Sequence, residues 1–121
     1  MEQINIREYL QKVMDFAIYG NTKCIITFEH ATAPQYWLQL TWDMLNVYYP
    51  FTNDPVIQLK QWDLDTFEKD GMSLVDWKAS EYCTWEHDPE NLDALADFIK
   101  QYLKKALGKD DSVTSWKIIE A

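Results

Sequence analysis

The sequence predicts an α+β fold: an antiparallel β-sheet meander packed against N- and C-terminal helices, a two-layer sandwich in helix–strands–helix order. Three observations carry this expectation. Apolar residues recur at helical spacing over 5–19 and again over 89–107. Between these stretches, short runs alternate apolar and polar residues and are separated by turn residues. The connections between the first three runs are short, which favours antiparallel neighbours. The 121 residues make one domain, 1–121, with no linker, repeat or low-complexity tract.

The first helix covers 5–19. Asn5 is its cap, and Glu8 three positions on completes a capping box. Ile4 and Tyr9 stand where a hydrophobic staple would form. Ile6, Tyr9, Leu10, Val13, Phe16 and Ala17 make the apolar stripe, and Gly20 supplies the left-handed stop. From Lys23 the period changes to two. Cys24, Ile26 and Phe28 alternate with Ile25, Thr27 and Glu29, and Ala-Thr-Ala-Pro breaks the run. Tyr36, Leu38, Leu40 and Trp42 alternate with Trp37, Gln39 and Thr41. Leu45, Val47 and Tyr49 alternate with Met44, Asn46 and Tyr48, and Pro50 ends that strand. Val56 to Trp62 reads as a fourth strand. Asp63 to Gly71 is an acidic turn region, in which a short helical turn over Leu64 to Lys69 fits equally well. Ser73–Lys78 and Glu81–His87 are extended. The last helix has Asp88 as cap, Pro89 at its first position and Glu90 in its first turn. Leu92, Leu95, Ala96, Ile99, Tyr102, Leu103 and Ala106 form its stripe, and Gly108 stops it. Val113–Ile119 follows as an edge strand.

Charge and composition exclude several functions. Eleven basic against 20 acidic residues give a net charge of −9, which opposes nucleic-acid backbones and anionic lipid. No run approaches the ~20 apolar residues of a membrane span. The first residues lack a basic region followed by an apolar run, so no secretory signal is expected. Two lone cysteines, Cys24 and Cys83, read as buried thiols rather than a disulfide framework. The expected compartment is the cytoplasm.

No catalytic set and no cofactor site is expected. Cys83, Glu86, His87 and Asp88 include a thiol, an imidazole and carboxylates, but alternate strand residues point to opposite faces and Asp88 is explained as a cap. Cys24, His30, Cys83 and His87 lack the paired spacing of a structural zinc site, and the histidines read as surface residues. Asp63, Asp65, Glu68 and Asp70 fail the pattern of a calcium loop, because Phe67 stands at a ligand position and no closing Glu follows.

Aromatic density is the one feature with functional content. Six Trp, seven Tyr and five Phe are spread largely through the strands. One helical layer covers one sheet face and leaves rings on the other exposed; helices on both faces would bury them. Tyr36, Trp37, Tyr48 and Tyr49 are the candidate exposed rings for binding another protein.

The segments Leu74-Val75-Asp76-Trp77, Asp93-Ala94-Leu95-Ala96, Leu103 and Leu107-Gly108 resemble those of the bacterial type III secretion chaperone-like superfamily, the YbjN or TY-chaperone group. There, an apolar-x-Trp segment precedes a strand and a closing helix. The resemblance implies a sheet backed by helices, often a homodimer, that binds protein segments without catalysis. The acidic balance supports an alternative: an immunity- or antitoxin-like protein that neutralises a basic effector.

Overall fold

The computed structural model describes residues 2–64, 71–87 and 91–121. Helix α1 (Ile6–Ile18) is followed by strands β1 (Ile26–His30), β2 (Trp37–Leu40) and β3 (Met44–Tyr48). A short helix α2 (Pro55–Gln61), strands β4 (Ser73–Lys78) and β5 (Tyr82–Glu86), helix α3 (Leu92–Lys105) and strand β6 (Trp116–Glu120) complete the chain. The strands form a six-stranded antiparallel sheet in the order β4-β5-β3-β2-β1-β6. The fold is α+β, and the β1-β2-β3 meander is present as expected.

The first helix ends where its local chemistry says it should. The Asn5 side chain accepts the Glu8 backbone N–H at 3.2 Å. At the other end Gly20 adopts φ +90°, so Asn21 N–H reaches back to Phe16 C=O at 2.8 Å. Ile6, Leu10 and Val13 are buried, one turn apart. In α3 the buried set is Leu92, Leu95, Ala96, Phe98, Ile99, Tyr102 and Leu103. The expected cap and first turn at Asp88, Pro89 and Glu90 lie outside the described residues, as does most of the acidic run, Asp65 to Asp70.

The expectation of a strand over 56–62 is overturned. This segment is α2, opened by Asp54, whose carboxylate accepts Val56 N–H at 2.9 Å, with Pro55 at the first position. Gln58 and Leu59, adjacent in sequence, are both buried, a pattern that a half-buried strand cannot produce.

Burial alternates along β2, β3 and most of β1 and β5. Ile26, Phe28, Leu38, Leu40, Leu45, Val47, Cys83 and Trp85 are buried, and register keeps them on one face. Two helices pack there, with Tyr9 of α1 against Phe28 and Phe98 of α3 against Trp85, while Trp62, which ends α2, meets Tyr102 of α3. None of Thr27, Glu29, Trp37, Gln39, Asn46, Tyr48 and Thr84 on the other face is buried. Among the described residues the architecture is therefore two layers, with one sheet face left open.

Candidate functional site

The open face is built by strand parity. Across its middle run Ile119, Thr27, Gln39, Asn46, Thr84 and Asp76, paired neighbour to neighbour from β6 to β4. Thr84 Oγ1 donates to Asn46 Oδ1 at 2.8 Å across β3 and β5. Tyr48 stands opposite Tyr82 in the adjacent row, and continuing the β2–β3 register places Trp37 beside Tyr48. These three half-buried rings form an aromatic row. Tyr82 is held by its hydroxyl, which donates to the Asp76 carboxylate at 2.9 Å and has its own pKa raised by that bond. The central strands β2 and β3 present Trp37, Gln39, Met44, Asn46 and Tyr48 here, with no charged residue among them. Charges flank these two strands, with Lys117 opposite Glu29 on one side and Glu86, Asp76 and Lys78 on the other.

The four expected rings divide. Trp37 and Tyr48 lie on the open face. Tyr36, just outside β2, packs edge-on to Tyr48 at 5.6 Å, and Lys109 Nζ lies 4.7 Å from its ring centre. Tyr49 corrects the expectation of exposure: it is 1% exposed, faces the core with Val47, and donates its hydroxyl to Asn53 C=O at 2.6 Å. Burial, its largest influence, pushes that hydroxyl up to about 12. Tyr82 is the ring that sequence reasoning left out of the candidate set. Its signal was its alternation with Cys83 and Trp85, which are core residues.

No family model, curated protein or solved structure matches the chain. Both cysteines are free and buried. Cys83 is fully buried, and burial pushes its thiol up to about 12 despite the opposing influence of Trp85 and Tyr102; the Tyr102 hydroxyl lies 3.9 Å from its sulfur. His87 shares its face but stands four residues along an extended chain, about 13 Å away at ordinary strand rise. It is also no surface residue: it is 4% exposed, with Nε2 3.4 Å from Thr41 C=O. A protonated thiol at that separation from the imidazole is not an activated nucleophile. Among the described residues, no group of three or more His, Cys, Asp or Glu side chains could hold a metal ion. No helix is long and apolar enough to cross a membrane, among the residues described.

The helical side carries depressions of a different character. One of about 370 Å³ lies between the first turn of α1 and α3, where Arg7 Nε pairs with Asp93 at 2.8 Å. Another, of about 600 Å³, lies at the end of α3 beside Lys100, Lys104 and Lys109. Asp110 and Asp111 border the same space, so its charges are mixed.

Proposed function

We propose that the protein is a non-enzymatic protein-binding module, secretion-chaperone-like, that holds a partner protein on the open face of its sheet. One observation carries the reading: a face, uncovered among the described residues, on which Trp37, Tyr48 and Tyr82 form a row and whose central strands β2 and β3 bear no charge. Large rings on a flat surface offer much contact area at low conformational cost, and their polar ends accept hydrogen bonds at the border of an interface. The two free thiols suit a reducing cytoplasm. The helix–strands–helix order expected of the chaperone-like group points the same way.

The test is capture of a partner from host lysate by the tagged protein, at low and moderate salt, with Trp37→Ala and Tyr82→Ala alongside. Both variants should remain folded by circular dichroism and lose the partner retained by the unsubstituted protein. Retention undiminished in both variants would remove the open face from the reading.

The second reading, an acidic immunity-like protein, is favoured by the net charge of −9. It expects a single basic partner that dissociates at moderate salt, because charge steering is screened over about 8–10 Å.

A further inference from the structure

The two edges of the sheet are built differently. At one edge, β4 carries a register shift between Leu74 and Asp76, and Ser73, Val75, Asp76 and Lys78 are exposed along it. A bulge with flanking charges is how a sheet edge is kept from pairing with another chain. At the other edge, β6 runs Trp-Lys-Ile-Ile-Glu in unbroken register with β1, from Ile26–Glu120 to His30–Trp116. It has no bulge, proline or glycine.

The hydrogen bonds show which backbone groups this edge offers. Ile25 and Ala121 exchange both N–H···O=C bonds, at 3.1 and 2.9 Å, and Ala31 N–H reaches Ser115 C=O at 2.9 Å. Antiparallel ladders alternate, so Lys117 and Ile119 turn their groups inward to β1, while Trp116, Ile118 and Glu120 turn N–H and C=O outward.

We propose that β6 pairs antiparallel with β6 of a second copy of this chain, about a two-fold axis at Ile118. The strand's own run of outward groups is self-complementary about a two-fold axis, and charge selects the register. Residues opposite one another across the axis must share a face, which restricts the centre to whole residues of the strand. Centring on Lys117 sets lysine against lysine, and centring on Glu120 sets carboxylate against carboxylate; both are unfavourable. Centring on Ile119 leaves the outward groups of Trp116 beyond the end of the pairing, and centring on Trp116 sets Ile118 and Glu120 opposite residues outside β6. Centring on Ile118 pairs every outward group, with Ile118 facing itself and Trp116 facing Glu120 of the copy. Lys117 then faces Ile119, so no like charges are opposed. The axis is perpendicular to the sheet, so the two open faces lie on the same side and join into one surface. This inference is independent of what that surface binds.

The test introduces one cysteine at a time, Ile118→Cys and Ile119→Cys, in the full chain, followed by mild oxidation and a non-reducing gel. The native thiols are buried and free, and the unsubstituted protein serves as the background control. Facing Cα atoms of a hydrogen-bonded pair are about 5.5 Å apart, within disulfide reach. Ile119 and its copy are diagonal, about 7–8 Å apart and beyond ready reach. Cross-linking should therefore be roughly tenfold faster for Ile118→Cys than for Ile119→Cys. Sedimentation of the unsubstituted protein, which depends on no variant folding, should give twice the monomer mass at micromolar concentration. A monomer throughout the concentration series would overturn the proposal. So would a dimer in which two folded variants cross-link equally, in reversed order, or not at all.

Discussion

Tyr102→Phe tests how α3 is fastened to the sheet. The Tyr102 hydroxyl donates to Tyr48 C=O at 2.7 Å, and the residue is 1% exposed. Phenylalanine keeps the ring and its contacts with Trp62 and Phe98. What is lost is the hydrogen bond to Tyr48 C=O and the weaker contact with Cys83 Sγ at 3.9 Å, together with solvation that the carbonyl does not fully recover from water. A net hydrogen bond contributes about 0.5–1.5 kcal/mol, and an orphaned buried partner costs about 1–3 kcal/mol. The carbonyl keeps a second lone pair for the β ladder, which places the expected loss at about 1–2 kcal/mol. Each kcal/mol moves the Tm of a domain this size by roughly 3–6 °C. Urea unfolding followed by tryptophan fluorescence should show a lower midpoint and an unchanged slope. Tyr82→Phe is the control, because its hydroxyl bonds Asp76 at the surface, where water replaces the partner. If Tyr102→Phe leaves the midpoint unmoved, or moves it no more than Tyr82→Phe does, the buried fastening is misjudged.

Three further outcomes follow from the packing. Leu95→Ala and Ile99→Ala, at sites each 1% exposed, should each cost about 2–5 kcal/mol in the same titration; small effects at both would mean that α3 does not face the core as described. Asn5→Ala should cost about 1 kcal/mol by removing the acceptor for Glu8 N–H, with Asn5→Asp restoring most of it. Stability should fall steeply at alkaline pH. Burial raises Cys83 and Tyr49 to about 12 and Tyr102 well above its ordinary value, whereas the unfolded chain releases these protons near 8.5–10. Their stabilising contribution is whole below that range and lost as pH rises toward 12. In an absorbance titration, Tyr49 and Tyr102 should ionise only as the near-ultraviolet dichroism collapses. A single wave near pH 10 for all seven tyrosines, with the fold intact, would refute this.

The elements that were legible in the sequence are those whose signals are local. Asn5, the stripe Ile6–Leu10–Val13 and Gly20 mark α1 within a few residues, because capping and helical period are properties of adjacent backbone. The alternation through β1, β2, β3 and β5 was equally plain. The segment Pro55–Gln61 is ambiguous in sequence because its apolar residues are few enough to fit either period. The deciding signal is Asp54-Pro55, an Asp-Pro pair that also stands in the sequence at Asp88-Pro89. His87 is a surface residue by composition alone, yet it is buried. Its parity with Cys83 and Trp85 already placed it on the core face.

The aromatic candidates show where local reading stops. Tyr48 and Tyr49 are adjacent, and parity alone says only that they point oppositely. Which of them meets solvent depends on which face the helices cover, and that is decided by Tyr9, Phe98 and Trp62, up to dozens of residues away. The same holds for the pairing of β6 with β1, which joins Ile118 to Phe28, and for the difference between the two sheet edges. By itself the sequence determined the α+β class, the ends of the first helix and the two faces of each early strand, since these follow from backbone period and capping. Only the tertiary structure decided which face stays open, which rings line it and which strand ends the sheet. Those outcomes depend on contacts between segments that no local pattern connects.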